Sequence, residues 1–236
     1  MPITLFGTNV SPPTRAVMMM IEILGIDVKF KEVSLPARDH LKPEYVEKNP
    51  LHTVPMLEDD DFTIVDSHAI LSYLATKFGK EEMYPNDLKA RCLIDQRLYF
   101  DATVLFPRLH TVIYDISEGR ASGLTDSHKK KIEEAYSIAE KYLEKSTYIA
   151  ADHLTVADIS CVSSISSLNR FSVVLIYPIP ANLRISSSHL VTGRPTVCLP
   201  SRDLNSRTTP AAVSSAANMI SPLPLQFANP VDYAGD

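Results

Sequence analysis

The chain has 236 residues, of which 45% are hydrophobic, and its formal net charge is −5. This composition is ordinary for a globular protein of one large or two smaller domains, and the dispersed charge gives no electrostatic case for binding nucleic acid or an anionic membrane. No apolar run is long enough to span a bilayer and no secretory signal is present, so the expected compartment is the cytoplasm. The 3 cysteines are far apart, which indicates neither a disulfide framework nor a metal site and favours buried, unreactive thiols.

The first third of the chain predicts a small α/β sheet. A strand, a helix and a second strand come first, and this order implies parallel pairing through a right-handed crossover. A hairpin with an acidic turn over residues 58–61 follows and leads into another helix. The predicted strands are residues 3–6, 28–33, 56–57 and 62–65, and the predicted helices are residues 14–24 and 67–78. We therefore expect a four-stranded domain within residues 1–80.

The stretch over residues 49–70 is the most informative in this domain. Asp66 and Ser67 stand at the predicted helix start, where unpaired backbone N–H groups and the helix dipole are suited to an anion. The Val54-Pro55 bond lies between a loop and a strand, a place where cis proline is found, although the sequence leaves the isomer open.

A polar segment with Pro85, near residues 79–87, separates the sheet from a wholly helical continuation over residues 88–171. Residues 88–117 predict a long helix bent at Pro107, and residues 127–143 predict an amphipathic helix. Thr155 and Asp158 form a capping box at the start of a nearly uncharged helix, which we expect at the centre of the helical domain.

The last segment, residues 172–236, has a different composition. It contains no Lys and no Glu, Pro recurs throughout, and no helical period continues for three turns. We expect this tail to be irregular or disordered.

Five motifs in this order resemble the cytosolic glutathione transferases, most closely the insect delta and epsilon classes. They are SPPTRA over residues 11–16, HLKPEYVEKNP over 40–50, HTVPML over 52–57, DSHAILSYL over 66–74 and LTVADIS over 154–160. The resemblance implies an α/β thioredoxin-like N-terminal domain that binds glutathione, an all-α C-terminal domain that binds the electrophile, and a homodimer. The implied function is conjugation of glutathione, as a co-substrate, to hydrophobic electrophiles in detoxification.

Ser11 has two interpretations. As a residue followed by two prolines, it is a good helix N-cap. The resemblance implies that its hydroxyl also donates a hydrogen bond to the glutathione sulfur, which favours the thiolate over the thiol.

The resemblance also assigns the binding residues. The glutathione contacts that it implies are His40, His52, Val54, Pro55, Asp66 and Ser67. Asp66 and Ser67 would hold the γ-glutamyl end, the Val54 backbone the cysteinyl unit, and the two histidines the glycyl carboxylate. His68 is expected to be structural or to lie at an interface, and the spacing of the histidines suggests no metal site.

For the electrophile, the implied residues lie on the long helix, and they are Leu105, Phe106, Arg108, Leu109 and Ile113. At their helical spacing they are equally typical of a plain core stripe. His110 stands where the epsilon class often has an Arg directed toward the active site.

The tail departs from the family pattern, since it lacks the Trp-containing and charged helices that close the family's domain. Residues 172–236 resemble another reading frame, retained intron sequence or an alternative exon. The alternative function is therefore a non-catalytic protein that binds glutathione or another ligand, or an unstable splice or frameshift variant of a transferase.

Overall fold

The computed structural model describes residues 3–170, so the tail over residues 172–236 lies outside the described part of the chain. Its four strands form one mixed sheet, in the spatial order β2-β1-β3-β4. They are β1 (Thr4–Gly7), β2 (Lys29–Glu32), β3 (Met56–Asp59) and β4 (Phe62–Val65). β1 and β2 pair in parallel, whereas β3 is antiparallel to both β1 and β4. The predicted crossover unit and hairpin are both confirmed.

The acidic turn of the hairpin is shorter than the sequence predicts. Glu58 and Asp59 belong to β3, and only Asp60 and Asp61 lie between the strands. The two carboxylates are accommodated in the strand because each has a cationic partner. Lys48 pairs with Glu58 at 2.6 Å, and Lys77 pairs with the buried carboxylate of Asp59.

Seven helices accompany the sheet within residues 3–170. They are α1 (Pro12–Leu24), α2 (Pro43–Val46), α3 (Ser67–Lys77), α4 (Leu88–Phe100), α5 (Phe106–Ser117), α6 (Asp126–Leu143) and α7 (Val156–Arg170). A single 3₁₀ turn, Asp39–Leu41, precedes α2. This order confirms an α/β thioredoxin-like N-terminal domain followed by a helical domain. The proposed domain limits, 1–80 and 88–171, remain predictions.

The predicted long helix over residues 88–117 is in fact two α-helices joined by a π-helical segment, Asp101–Leu105. The bend was predicted at Pro107, but the wider turn lies just before it. Proline lacks an N–H, and its ring clashes with the carbonyl four residues earlier, here that of Thr103. The ladder widens at that point, and the residues beyond it face a different direction from that of a continuous α-helix.

α7 occupies the centre of the molecule, as its low charge predicts. It packs on α4 and α5 of the helical domain and also on α1 and α3 of the sheet domain. Ile159, Cys161 and Ile165 are buried in these contacts. The two domains therefore share one continuous hydrophobic core.

At the start of α7, Asp158 is partly buried, and this desolvation raises its pKa. One carboxylate oxygen accepts from the N–H and the hydroxyl of Thr155, at 2.9 Å and 2.8 Å. Of the predicted capping box, the hydrogen bond from the Thr155 N–H to the Asp158 carboxylate is therefore present. The Thr155 hydroxyl, however, donates to the same carboxylate instead of accepting from an N–H. The other oxygen accepts from the Ile149 N–H at 2.8 Å, which ties the preceding loop to the helix.

The two cysteines of the described part differ in exposure. Cys161 is buried, and that burial raises its thiol pKa. Cys92 is exposed on α4, so the expectation of buried thiols is wrong for it. Among the helices of residues 3–170, none is both long and apolar enough to cross a membrane.

Candidate functional site

One edge of the sheet gathers the predicted site residues. Phe6 of β1 pairs with Met56 of β3, and Met56 pairs in turn with Val65 of β4. β1, β2 and β4 all end at this edge and β3 begins there, so four loops leave the sheet side by side. These loops, with the helix starts that follow them, contain Ser11, His40, His52, Val54, Pro55, Asp66 and Ser67.

Ser11 is the N-cap of α1, as predicted. Its hydroxyl oxygen accepts from the Thr14 N–H at 3.4 Å, and Pro12 and Pro13 occupy the first helical positions. A hydroxyl has one donor and two acceptor sites. Because the cap uses an acceptor site, the O–H remains able to donate to a thiolate. The two interpretations of Ser11 are therefore compatible.

The loop around Ser11 is held by α7, a contact that the sequence did not reveal. Arg15 donates to the Ser163 carbonyl at 3.3 Å and to the Ser167 hydroxyl at 3.1 Å. It also donates to the carbonyl of Val10, at 3.3 Å. The helical domain thus fixes the backbone next to the cap.

At the start of α3, Asp66 is the N-cap and Ser67 is the first helical residue. The Asp66 carboxylate accepts from the N–H groups of His68 and Ala69, at 2.8 Å and 3.4 Å, and its backbone has φ +73°. Ser67 is buried beneath this cap. Partial burial opposes ionisation of Asp66, but the hydrogen bonds from His68 outweigh it and hold the Asp66 pKa below its ordinary value.

His68 connects this helix start to the helical domain. Its imidazole lies 2.9 Å from Asp66 Oδ1 through Nδ1 and 3.1 Å from Asp101 Oδ2 through Nε2. Asp101 is buried in the π-helical segment, and the same Oδ2 accepts from the Ser160 hydroxyl of α7. Burial opposes a charge on the ring, but hydrogen bonds to Asp101 and Asp66 prevail and raise the His68 pKa to about 9. A cationic His68 therefore bridges two carboxylates at neutral pH.

His40 and His52 lie close together, with ring centroids 6.4 Å apart. His40 Nδ1 is buried without a hydrogen-bond partner among residues 3–170, and burial followed by the neighbouring His52 lowers the His40 pKa. His52 is exposed and has φ +45°. The His40 ring therefore has one hydrogen-bonding position that no described residue fills.

The Val54-Pro55 bond, which the sequence left open, is cis. Pro55 is buried and Val54 is partly exposed at the sheet edge. Within the described residues, neither the N–H nor the carbonyl of Val54 takes part in a hydrogen bond. The two groups are available to an extended peptide, which could pair with them as an added strand does.

Three of the residues predicted to bind the electrophile have other contacts. Leu105 and Leu109 are 0% and 1% exposed, so they belong to the core stripe that was the alternative interpretation and offer no surface to a substrate. Arg108 faces α6, where it donates to the Lys131 carbonyl at 3.0 Å and pairs with Glu134 at 3.1 Å. Leu105 and Leu109 are four residues apart and therefore share one helix face, which here is turned to the core.

Phe106 and Ile113, the other two predicted residues, are partly exposed. Phe106 begins an aromatic row along α5, because its ring centroid is 5.5 Å from that of His110, which stacks on Tyr114 at 6.1 Å. Burial lowers the His110 pKa and favours the neutral imidazole. This side of α5 therefore presents rings at the position where the epsilon class often has an Arg.

Asp101 is the main site residue that sequence reasoning missed. Its signal was a single acidic residue inside an otherwise apolar helical stretch, which is unusual unless the charge is paired. Its Oδ1 is buried and has no partner within residues 3–170.

Comparison with known proteins identifies two family models in the chain. The model described as glutathione S-transferase, N-terminal domain, matches residues 5–82, and glutathione S-transferase, C-terminal domain, matches residues 105–181. Glutathione S-transferase 1 of Manduca sexta is 44% identical over 184 residues, which cover 77% of this chain and 82% of that protein.

Two solved structures are also similar. An epsilon-class glutathione S-transferase from the housefly, Musca domestica, is 42% identical with a TM-score of 0.69, over 72% of this chain and 78% of that one. A glutathione transferase homologue from Drosophila mojavensis, solved with bound glutathione, is 40% identical with a TM-score of 0.70, over 73% of this chain and 80% of that one.

Proposed function

This chain belongs to the glutathione S-transferase family and is a glutathione transferase, and we propose that the sheet edge described above is its glutathione site. Glutathione is the co-substrate. The observation that carries the proposal is the strand register, which brings the Ser11, Val54 and Asp66 loops to one edge of the sheet.

Ser11 activates the glutathione thiol. Its hydroxyl donates a hydrogen bond to the sulfur at the start of α1, where the helix dipole also favours the negative charge. Both effects lower the thiol pKa and increase the thiolate fraction at neutral pH. The sulfur then attacks the electrophilic carbon, and the leaving group departs with the electron pair of the bond that breaks. Ser11 itself forms no covalent bond.

The remaining loops hold the peptide. Ser67, through its hydroxyl and its own N–H, binds the γ-glutamyl carboxylate, while Asp66 binds the α-ammonium. The backbone of Val54 pairs with the cysteinyl unit beside Pro55. His40 and His52 donate to the glycyl carboxylate, for which the buried, unpaired Nδ1 of His40 gives support.

Hydrophobic electrophiles are the second substrate, and detoxification in the cytoplasm is the role. Phe106 and Ile113 provide apolar surface on α5, and the rings of His110 and Tyr114 extend it. The active unit is a homodimer. Leu88 and Tyr99, two exposed apolar side chains on the outer face of α4, support this assembly.

Turnover of glutathione with a chlorinated nitroarene tests the proposal. The change Ser11→Ala removes a hydrogen bond to a charged sulfur, so we expect kcat/KM to fall about 10- to 100-fold. The thiol pKa of bound glutathione should rise, and the ultraviolet absorbance of the thiolate measures this directly.

Thr125→Ala is the matched control for the loss of a helix cap. Thr125 caps α6 through a 3.2 Å hydrogen bond from the His128 N–H, remote from the sheet edge. Both variants should lose a similar 0.5–2 kcal/mol, about the usual range for a cap. Only Ser11→Ala should change the thiol pKa. Equal kinetics in the two variants would exclude the proposed role of Ser11.

A further inference from the structure

The loop before β3 is held by two side chains that were not predicted to belong to the site. Tyr45 of α2 is 7% exposed, and Asn49 is fully buried. The Tyr45 hydroxyl donates to the carbonyl of Thr53 at 2.7 Å, and the Asn49 side-chain amide donates to the same oxygen at 2.8 Å. A carbonyl oxygen has two lone pairs, so these two bonds saturate it.

Asn49 also shapes the turn that leads to this carbonyl. Its side-chain oxygen accepts from the Leu51 N–H at 3.1 Å, and its own carbonyl accepts from the His52 N–H at 2.8 Å. Its backbone N–H donates to the carbonyl of Tyr45 at 2.8 Å, which anchors the turn on α2. Asn49 therefore braces both ends of the segment that carries His52 in its left-handed conformation.

The carbonyl of Thr53 belongs to the same peptide unit as the N–H of Val54. A trans peptide is planar, and its C=O and N–H point in opposite directions. When two hydrogen bonds fix the direction of the Thr53 carbonyl, they also fix the direction of the Val54 N–H. That N–H is the group assigned above to the cysteinyl backbone of glutathione.

We propose that Tyr45 and Asn49 are positioning residues, which aim the Val54 N–H at glutathione by holding the Thr53 carbonyl from the opposite side. This inference rests on the proposed function of the sheet edge. Neither side chain needs to touch glutathione. Their loss should weaken the binding of the peptide and leave the activation of the thiol by Ser11 unchanged.

Tyr45→Phe tests the inference, since it removes one oxygen and keeps the ring in place. We expect the glutathione dissociation constant and KM to rise about 3- to 10-fold, the usual weight of one hydrogen bond, while kcat changes less than about twofold. Tyr84→Phe is the matched control, because the Tyr84 hydroxyl donates to Asp95 at 2.7 Å, away from this loop. Its glutathione affinity should equal that of the wild type.

A truncated peptide separates the Val54 route from an effect through His52. γ-Glutamylcysteine lacks the glycyl carboxylate assigned to the histidines, so Tyr45→Phe should weaken its binding by the same factor as that of glutathione. Isothermal titration calorimetry gives both constants without turnover. Asn49→Ala should show the same pattern, with its folding checked by circular dichroism. If Asn49→Ala does not fold, the result for Tyr45→Phe alone decides the test.

The outcomes distinguish the inference from the function on which it rests. Unchanged affinity in Tyr45→Phe, or a loss confined to glutathione with its glycyl unit, would overturn the positioning role while the function stands. An equal loss of glutathione affinity in Tyr84→Phe would show that the effect comes from lower overall stability and not from the Thr53 carbonyl. A wild-type protein that does not bind glutathione would overturn both.

Discussion

Single residues in this molecule combine structural and chemical roles, and Asp158 is the case where the structural role dominates. Its partly buried carboxylate accepts three hydrogen bonds, two from Thr155 and one from Ile149. The N-cap signature of the sequence predicted the first of these partners but not the second, because Ile149 reaches the helix start only in the folded chain. Asp158 should therefore contribute to stability more than an ordinary cap does.

Asp158→Ala leaves three donors without their acceptor, and we expect it to lower the free energy of unfolding by about 1–3 kcal/mol. Urea denaturation should show a lower midpoint with an unchanged slope. Asp126→Ala is the control, since that side chain is 97% exposed and pairs only with Lys129, so its effect should stay within about 0.5 kcal/mol. Equal midpoints for the two variants would show that the Asp158 carboxylate contributes no more to stability than the exposed Asp126 carboxylate does.

Among the elements, α3 and the π-helical segment are joined by the His68 bridge. The folded pKa of His68 is about 9, against an ordinary value of 6.5. A group whose pKa is raised by folding contributes stability that is fully present below the unfolded value and is lost as the pH rises through the folded value. The bridge should therefore be complete near pH 6.5 and lost above pH 9.

The free energy of unfolding should accordingly fall as the pH rises from about 6.5 to 9.5, and the His68 pair would account for at most roughly 3 kcal/mol of the change. In His68→Gln this part of the pH dependence should disappear. His153→Gln, a change at an exposed histidine that contacts only the Glu82 carbonyl, should keep it. A wild-type slope in His68→Gln would rule out the bridge as its source.

The same elements show how far sequence reasoning reaches. Local signals predicted the N-caps at Ser11 and Asp66, the hairpin and the central position of α7, because each depends on residues close together in the chain. Leu105 and Leu109 were assigned to the electrophile through the family resemblance, whereas their helical spacing was equally typical of the core stripe to which they belong. Contacts such as His68 with Asp101 join distant parts of the chain and leave no local pattern.

At the scale of the whole molecule, one helix couples the two domains. α7 packs on α1 and α3 as well as on α4 and α5, and its serines contact both Arg15 and Asp101. The sheet edge that we propose as the glutathione site is therefore in contact with the helical domain. A substitution in α7 should therefore change the binding of both glutathione and the electrophile. A substitution on the outer face of α4 should change neither.

That outer face is the most apolar exposed surface of α4. Leu88 and Tyr99 are 80% and 69% exposed, and with the exposed Cys92 they lie within about 40° of one another around the helix axis. Large exposed apolar side chains grouped on one helix are typical of an interaction surface. A second copy of the chain is the occupant that we propose for it.

Tyr99→Asp places a charge on this face without changing the core, so we expect a shift from dimer to monomer in sedimentation velocity while the circular dichroism spectrum is unchanged. A charge desolvated at an interface without a partner costs several kcal/mol, about 10²-fold or more in the dimer dissociation constant. Ile23→Asp, at an exposed apolar position on α1, is the matched control and should remain dimeric. Glutathione affinity should be retained in both variants, since the sheet edge lies within one chain.

A Tyr99→Asp protein that sediments as the wild type does would place the dimer contact elsewhere. A wild type that sediments as a monomer would remove the homodimer from the proposal.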